Sequence, residues 1–327
     1  MARKLGRFAA IAATLYVLLL LFLYVDQEVL IFPAGRVDAA GAPIPLMGLA
    51  GLQAPAEIVS LRGDLGDSLT GIYATAMLPD GRVDPNAATE PTVLYFYGNG
   101  SSIASSDDVI TGLRRRRLNV LCVDYGGYGA STGACSEKTC YEAASAAYTY
   151  LIEKRHVAPN RLVIMGRSLG TGVGIDLASR RDCAALITVS AYTTMAEMSV
   201  HQYPVVPSAV VNLMLRHRFD SADKIAGVKC PILLVHCLDD PMIPCAMSRR
   251  LAHIATAPVT LIEPPTGRHN DVFTVGGAHL FDQLAAFAHA HADQTGHQAA
   301  PKLPADTKTS AAIPESSRTS LPGGVSL

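Results

Sequence analysis

The sequence predicts an α/β domain built on a mixed, mostly parallel sheet with helices on both faces, carried by an N-terminal transmembrane helix. Short runs of continuous apolar residues alternate with stretches of helical length, and an antiparallel hairpin pattern precedes them. An uncharged apolar run opens the chain. The 327 residues are 49% hydrophobic and 17% charged, enough apolar material for one large core and incompatible with disorder of the bulk. Lys+Arg number 27 and Asp+Glu 28, so no basic field exists to hold nucleic acid. Seven cysteines with no CxxC pair exclude a disulfide scaffold and a structural zinc site.

Phe8–Val25 (FAAIAATLYVLLLLFLYV) is free of charge and 18 residues long. As a helix it spans roughly 27 Å, about the thickness of bilayer hydrocarbon. Arg3, Lys4 and Arg7 precede it and Asp26 and Glu28 follow. The positive-inside rule then leaves residues 1–7 in the cytoplasm and the remainder on the other side. A cleaved signal peptide is the rival, but it calls for a shorter core and a small-x-small site, and Asp26-Gln27-Glu28 stands there instead. Residues 26–55, rich in Pro, Gly and Ala from 33 onward, read as a linker. Residues 294–327 hold four prolines among Ser, Thr and Lys and read as a disordered tail, which leaves 56–293 as one catalytic-size domain.

Within that domain Glu57–Arg62 and Leu69–Met77 read as the hairpin, with a Gly/Asp turn between. Thr92–Tyr97, Asn119–Asp124, Arg161–Met165, Ala184–Val189, Pro231–Cys237 and Val259–Ile262 are nearly continuous in apolar residues, as strands buried on both faces are. Lys138–Lys154, Gly170–Arg180, Cys245–Thr256 and Gly277–Ala290 have helical length. Residues 191–219, rich in Tyr, Met, Val and Leu, read either as a short lid whose apolar face receives an acyl chain or as helices packing on the core. Arg114–Arg117 reads as a solvated basic face, with anionic headgroups as the alternative contact. Cys135 and Cys140 are close enough in sequence to bridge in an oxidising compartment.

The chemistry is sought at the carboxyl ends of the strands. There Gly166-Arg167-Ser168-Leu169-Gly170 follows RLVIM and precedes a Gly-rich helix start. A serine at such a turn exposes its hydroxyl, and glycines two positions to either side let strand and helix approach. The Leu169 amide, at the helix N-terminus, is placed to stabilise an oxyanion. A serine nucleophile needs a base, and the base an orienting carboxylate, which follow it along the chain in the order acid, then histidine. Pro231–Cys237 runs into Leu238-Asp239-Asp240-Pro241; Asp240, in the loop proper, is favoured and Asp239 is the alternative. Of ten histidines, His269 alone sits in the loop after Val259–Ile262. Asn99, in Gly98-Asn99-Gly100 after TVLYFY, is the expected second oxyanion donor through its backbone amide.

Assembled, these residues resemble the alpha/beta-hydrolase superfamily, and within it the cap-poor, membrane-anchored serine hydrolases that include protein depalmitoylase-like enzymes. The landmarks are Tyr97-Gly98-Asn99-Gly100, Asp124-Tyr125-Gly126-Gly127-Tyr128-Gly129-Ala130-Ser131-Thr132-Gly133, the elbow Gly166–Gly172, Arg218-Phe219-Asp220-Ser221, the acid loop HCLDDPMIP and Gly267-Arg268-His269-Asn270. The resemblance implies the triad Ser168, Asp240 and His269, and its acid loop selects Asp240 over Asp239. Two positions depart from the family pattern: Tyr97 stands where His is usual before the oxyanion loop, and Cys237 where Gly is usual in the acid loop. The implied function is hydrolysis of carboxylic esters or thioesters, on a small-molecule or acyl-lipid-like substrate, without metal or cofactor. A prolyl-peptidase-like peptidase and a membrane-tethered binding module without activity are the alternatives.

Overall fold

The computed structural model describes residues 2–33, 56–64 and 66–292, so the expected tail and most of the expected linker lie outside the described residues. The hairpin forms β1 (Ala56–Arg62) and β2 (Ser68–Ala74), paired in register from Ala56 opposite Ala74 to Arg62 opposite Ser68. The apolar runs become β3 (Thr92–Phe96), β4 (Asn119–Val123), β5 (Leu162–Arg167), β6 (Ala185–Val189), β7 (Ile232–Val235) and β8 (Val259–Ile262). Together they make an eight-stranded sheet of order β1-β2-β4-β3-β5-β6-β7-β8. β2 runs antiparallel to β4, and from β4 to β8 every pairing is parallel. All residues of β3, β4, β6 and β7 are buried, the reason their sequences carry no polar alternation.

The helices are α1 (Ala2–Val25), α2 (Gln27–Ile31), α3 (Asp107–Arg114), α4 (Glu137–Glu153), α5 (Leu169–Arg180), α6 (Met195–Gln202), α7 (Ser208–Met214), α8 (Ser221–Ile225), α9 (Cys245–Ile254) and α10 (Val272–Ala292). They fall into four packed groups: α3 with α10; α4, α5, α8 and α9 in succession; α6 with α7; and α1 with α2. Ser136 starts α4 with a capping box: its hydroxyl accepts the Thr139 N–H while the Thr139 hydroxyl accepts the Ser136 N–H. α10 bends at Gly277, whose φ of 50° and ψ of -145° a side chain would resist; the helix expected from Gly277 begins one short turn earlier, on the other side of this bend.

Two expectations change. The first residues of the linker are ordered: α2 follows α1 directly and buries Gln27, Ile31 and Phe32. Gln27 fixes this turn, its side-chain amide donating to the carbonyls of Tyr24 and Met214 and accepting the Arg216 N–H. The arginine run is a solvated face only in part: Arg115 and Arg117 are exposed, while Arg114 and Arg116 turn inward. Arg114 is fully buried and donates from Nε to the Thr75 carbonyl at 2.7 Å. Arg116 binds Asp282 and the Gly112 and Ala278 carbonyls, and Arg117 bridges Asp84 and Glu90. Arg114, Arg116 and Arg117 thus tie α3 and the turn after it to the β2–β3 connection and to α10.

Residues 191–219 form α6 and α7. Ala196, Val206 and Val211 make a small apolar cluster of their own, against which Leu20 and Leu23 of α1 pack. α1 has the length and composition to cross a membrane over Arg3–Val25. Cys135 and Cys140 are free thiols with Sγ atoms 3.6 Å apart, and Cys183 and Cys230 form a second close pair at 3.3 Å.

Candidate active site

Ser168 sits between β5 and α5 with φ 51° and ψ -121°, a conformation that L-residues adopt only under constraint. The constraint is visible in its neighbours. The Ser168 N–H donates to Val189 O at 2.9 Å, and its carbonyl accepts from the Thr171 N–H and hydroxyl at 2.9 and 2.6 Å. A Cβ on Gly166 would lie 2.3 Å from Gly170 O, and one on Gly170 only 2.2 Å from Phe96 O. Both glycines of the motif are therefore places where backbone meets backbone, and no side chain fits. The turn leaves Leu169 as the first residue of α5, whose N–H has no acceptor within the helix.

His269 reaches this turn from the loop after β8. Its Nε2 lies 2.8 Å from Ser168 Oγ and its Nδ1 2.8 Å from Asp240 Oδ2. All three residues are buried. Asp239 is exposed, and the structure thus brings Asp240 to the histidine and leaves Asp239 outside. Oδ1 of Asp240 accepts the N–H groups of Met242 and Ile243 at 2.9 and 3.0 Å. His236 lies beneath: its Nε2 is 2.9 Å from Ile243 O and 3.5 Å from Asp240 Oδ2. Since both are acceptors, Nε2 carries the proton, and Nδ1 accepts from the Ser248 hydroxyl at 2.6 Å. Burial alone would raise the Asp240 carboxyl, but hydrogen bonds from His236, His269 and the Ile243 N–H outweigh it and hold the group far below the ordinary carboxylate range. A permanent carboxylate facing Nδ1 keeps the proton on Nδ1 and leaves Nε2 as the acceptor for the serine proton.

The loop after β3 passes directly over Ser168. A Cβ on Gly98 would stand 3.0 Å from Ser168 Cβ and 3.6 Å from its Oγ. Asn99 shares a cavity wall with Ser168 and Leu169. Tyr97, the departure from the family pattern, points away from the site. Its hydroxyl donates to Asp124 Oδ1 at 2.9 Å and accepts the Tyr125 N–H at 3.2 Å. Asp124 also accepts the Ile103 N–H at 2.9 Å and the Ala130 N–H at 3.2 Å, so one buried carboxylate pins the loop after β3 to the loop after β4. Burial raises the Asp124 carboxyl above its ordinary range, and those donors only restrain the rise. Gly129, at φ 48°, is required here, because a Cβ would fall 2.0 Å from Asp124 Oδ2. Cys237, the second departure, is buried against Gly267, and burial followed by the nearby aspartates raises its thiol. It packs as a small apolar side chain.

Some contributors escaped the sequence reading. Arg167, an unspecified position of the motif, donates to the His269 carbonyl at 3.1 Å and so ties the histidine loop to the elbow. Leu30 and Ile31 of α2, with Gln202, Met242 and Ile243, join Tyr192, Met195, Met198 and Tyr203 around a cavity of about 260 Å³ that opens on Ser168. The apolar content of 191–219 signalled the residues that α6 contributes to this cavity, but nothing in the residues after the apolar run marked α2 as a wall of it.

No family model matches the chain. An uncharacterized protein of Mycobacterium tuberculosis is 33% identical over 197 residues, 60% of this chain and 69% of that one. An alpha/beta hydrolase domain-containing protein of Caenorhabditis elegans is 35% identical over 55% of this chain and 53% of its own length. Human alpha/beta hydrolase domain-containing protein 17B is 30% identical over 60% of this chain and 65% of its length. Among solved structures, a Pyrococcus furiosus esterase superposes with a TM-score of 0.61 at 16% identity, covering 75% of this chain and 95% of the esterase. A puromycin-hydrolyzing peptidase of Mycobacterium tuberculosis gives 0.59 at 17% identity, over 72% of this chain and 40% of the peptidase. Fold, elbow and relatives agree, and the chain belongs to the alpha/beta-hydrolase superfamily.

Proposed function

We propose that the protein is a serine hydrolase of carboxylic esters or thioesters, held to a membrane by α1. The observation that carries this reading is the unbroken hydrogen-bonded line Ser168 Oγ, His269 Nε2, His269 Nδ1, Asp240 Oδ2, with 2.8 Å at both junctions. Ser168 Oγ attacks the carbonyl carbon as His269 takes its proton. The amides of Leu169 and Asn99 stabilise the oxyanion. The carbon–oxygen or carbon–sulfur bond to the leaving group breaks, and His269 returns the proton to the departing alcohol or thiol. A water molecule, deprotonated by His269, then cleaves the acyl-enzyme and restores Ser168. Asp240 holds the imidazole in the required tautomer throughout.

The cavity over Ser168 favours an acyl group over a peptide. Its walls are Leu, Ile, Met and Tyr side chains with Asn99, Ser199 and Gln202, and none of its lining residues is charged to receive a peptide terminus. A fluorophosphonate probe tests the nucleophile. The full chain is expected to label, and Ser168→Ala to abolish the label; labelling that survives in Ser168→Ala, or none in the native chain, removes the reading and favours a binding module.

Arg3, Lys4 and Arg7 before α1 support a cytoplasmic N-terminus, with the hydrolase domain across the membrane. An oxidising compartment there would close Cys135/Cys140 and Cys183/Cys230, whose sulfurs already touch. Intact mass with and without reductant reads the outcome: a loss of two hydrogens per pair agrees with that side, and full alkylation of all four thiols in cells contradicts it.

A further inference from the structure

The cavity over Ser168 does not end at the lid. A second, apolar cavity of about 80 Å³ lies between the N-terminal helices and the lid, with Leu23 and Leu30 on one side and Val206, Val211 and Met214 on the other. The two cavities share Leu30, Ile31, Ser199 and Tyr203 as walls. We propose that a bilayer-resident acyl chain reaches Ser168 sideways, between α1–α2 and α6–α7, so that the substrate is an ester or thioester whose acyl chain is dissolved in the membrane. This rests on the hydrolase reading of Ser168 and on α1 crossing the bilayer.

The depth of the lid supports the route. Tyr16 donates its hydroxyl to the Val205 carbonyl at 3.2 Å. Tyr16 lies nine residues before Val25, the end of α1, so this contact sits about 13 Å down the helix axis from that end. A lid turn at that level lies beside hydrocarbon, where a carbonyl without a donor would be costly, and Tyr16 supplies the donor. Two large apolar side chains are displayed there beside the exposed polar Ser208 and Asn212: Val205 is 64% exposed and Leu213 86%. An ion pair marks the end of the span. Glu28 pairs with Arg216 at 3.4 Å, and the Arg216 guanidinium lies over the Tyr24 ring, an arrangement suited to the headgroup level. The cavity between Leu23 and Val211 therefore opens at the boundary of hydrocarbon and headgroups, with Ser168 beyond it. Met195, Met198 and Met214 line the path, and their unbranched thioethers adapt to a flexible chain.

The full chain, reconstituted in phosphatidylcholine vesicles, is assayed on p-nitrophenyl esters from acetyl to octanoyl. The native chain is expected to prefer octanoyl. Met214→Trp and Leu23→Trp, which fill the second cavity, are expected to lower the octanoyl-to-acetyl ratio of kcat/KM by at least about tenfold. Reading a ratio cancels any general loss of folded protein. A phosphatidylcholine with a diazirine on its acyl chain supplies the second measurement, using Ser168→Ala. Photo-adducts on Leu23–Ile31 and Val206–Met214 support the route; adducts confined to the opposite side of α1 overturn it. A native chain that hydrolyses acetyl and octanoyl esters alike, with a ratio the tryptophans leave unchanged, also overturns it while the hydrolase reading stands. Absence of all ester hydrolysis together with absence of fluorophosphonate labelling removes the hydrolase reading itself.

Discussion

The two halves of this molecule are held together by different forces. At the strand ends, Ser168, Asp240, His269 and Asp124 are fixed by short polar contacts between buried groups, and backbone approaches leave no room for a Cβ at Gly166 or Gly170. At the side of the N-terminal helices, α1, α2, α6 and α7 meet through Leu, Val and Met side chains, with Val205 and Leu213 facing outward. Directional contacts fix atoms to within tenths of an ångström, whereas apolar contact is non-directional and tolerates rearrangement. On the proposed function, reaction geometry belongs to the first half and the choice of acyl group to the second. The comparison breaks wherever a substitution in one half behaves as expected of the other.

The largest effect belongs to the acid. Asp240→Asn keeps the shape but presents Nδ1 with the wrong partner, and kcat should fall by about 10⁴. Asp239→Asn, on an exposed side chain, should change it less than about twofold. Equal losses in both variants would mean that the aspartate facing His269 is not the one that orients it. Asp240 also predicts a pH dependence. Its folded pKa lies below the unfolded value of about 3.9, so its stabilisation is complete above that pH and is lost as pH falls through the lower, folded value. The stability gap between the native chain and Asp240→Asn should stay flat from neutral pH down to about 5 and close only in strong acid. A gap that closes near neutrality would contradict the hydrogen-bonded carboxylate.

Next comes the backbone contact. Gly170→Ala drives a methyl group to 2.2 Å from Phe96 O, where only main chain can give way. The expected destabilisation is about 3 kcal/mol or more, with loss of activity in the folded remainder because β3 and the elbow must part. Urea unfolding measures the first and active-site titration the second. Tyr97→Phe is milder. It removes one donor from Asp124 and the acceptor of the Tyr125 N–H, both buried, for about 1–3 kcal/mol in thermal melts. A neutral result would mean that water replaces the hydroxyl, and that Tyr97 does not clamp the loop bearing Asn99.

The two halves were also unequally legible in the sequence. Strands buried on both faces announce themselves by continuous apolar runs, and the elbow glycines by their spacing around Ser168, because steric exclusion at Gly166 and Gly170 leaves no other residue type. His269 could be picked from ten histidines because it alone occupies a loop after the last strand. The arginine run misled, since a charge looks the same in sequence whether solvated or paired, and only the fold brings Asp84, Glu90 and Asp282 to it. Arg167 was invisible for a related reason: its partner is a main-chain carbonyl about a hundred positions away, which no side-chain pattern marks. Apolar content marked 191–219 as a packed segment but not its partner, because non-directional packing leaves no signature of which surface is met. Residues 27–31, short and mixed in polarity, gave no sign of lining the cavity over Ser168.

The smallest effect on stability probes the membrane side most directly. The chain contains no tryptophan, so a single one reports without background. Leu213 is 86% exposed on α7, and Leu213→Trp should shift stability in detergent by no more than about 0.5 kcal/mol, because the side chain has little packing to lose. In vesicles, the proposed immersion of the lid predicts blue-shifted emission from this tryptophan and strong quenching by lipids brominated along the acyl chain. Val211→Trp, at a buried position packed against α1, should instead destabilise by about 1–3 kcal/mol, the cost of overfilling a closed site. Emission at 213 that stays red and unquenched would place the outer face of α7 in water. The apolar half would then be a lid over the site rather than its opening to the bilayer.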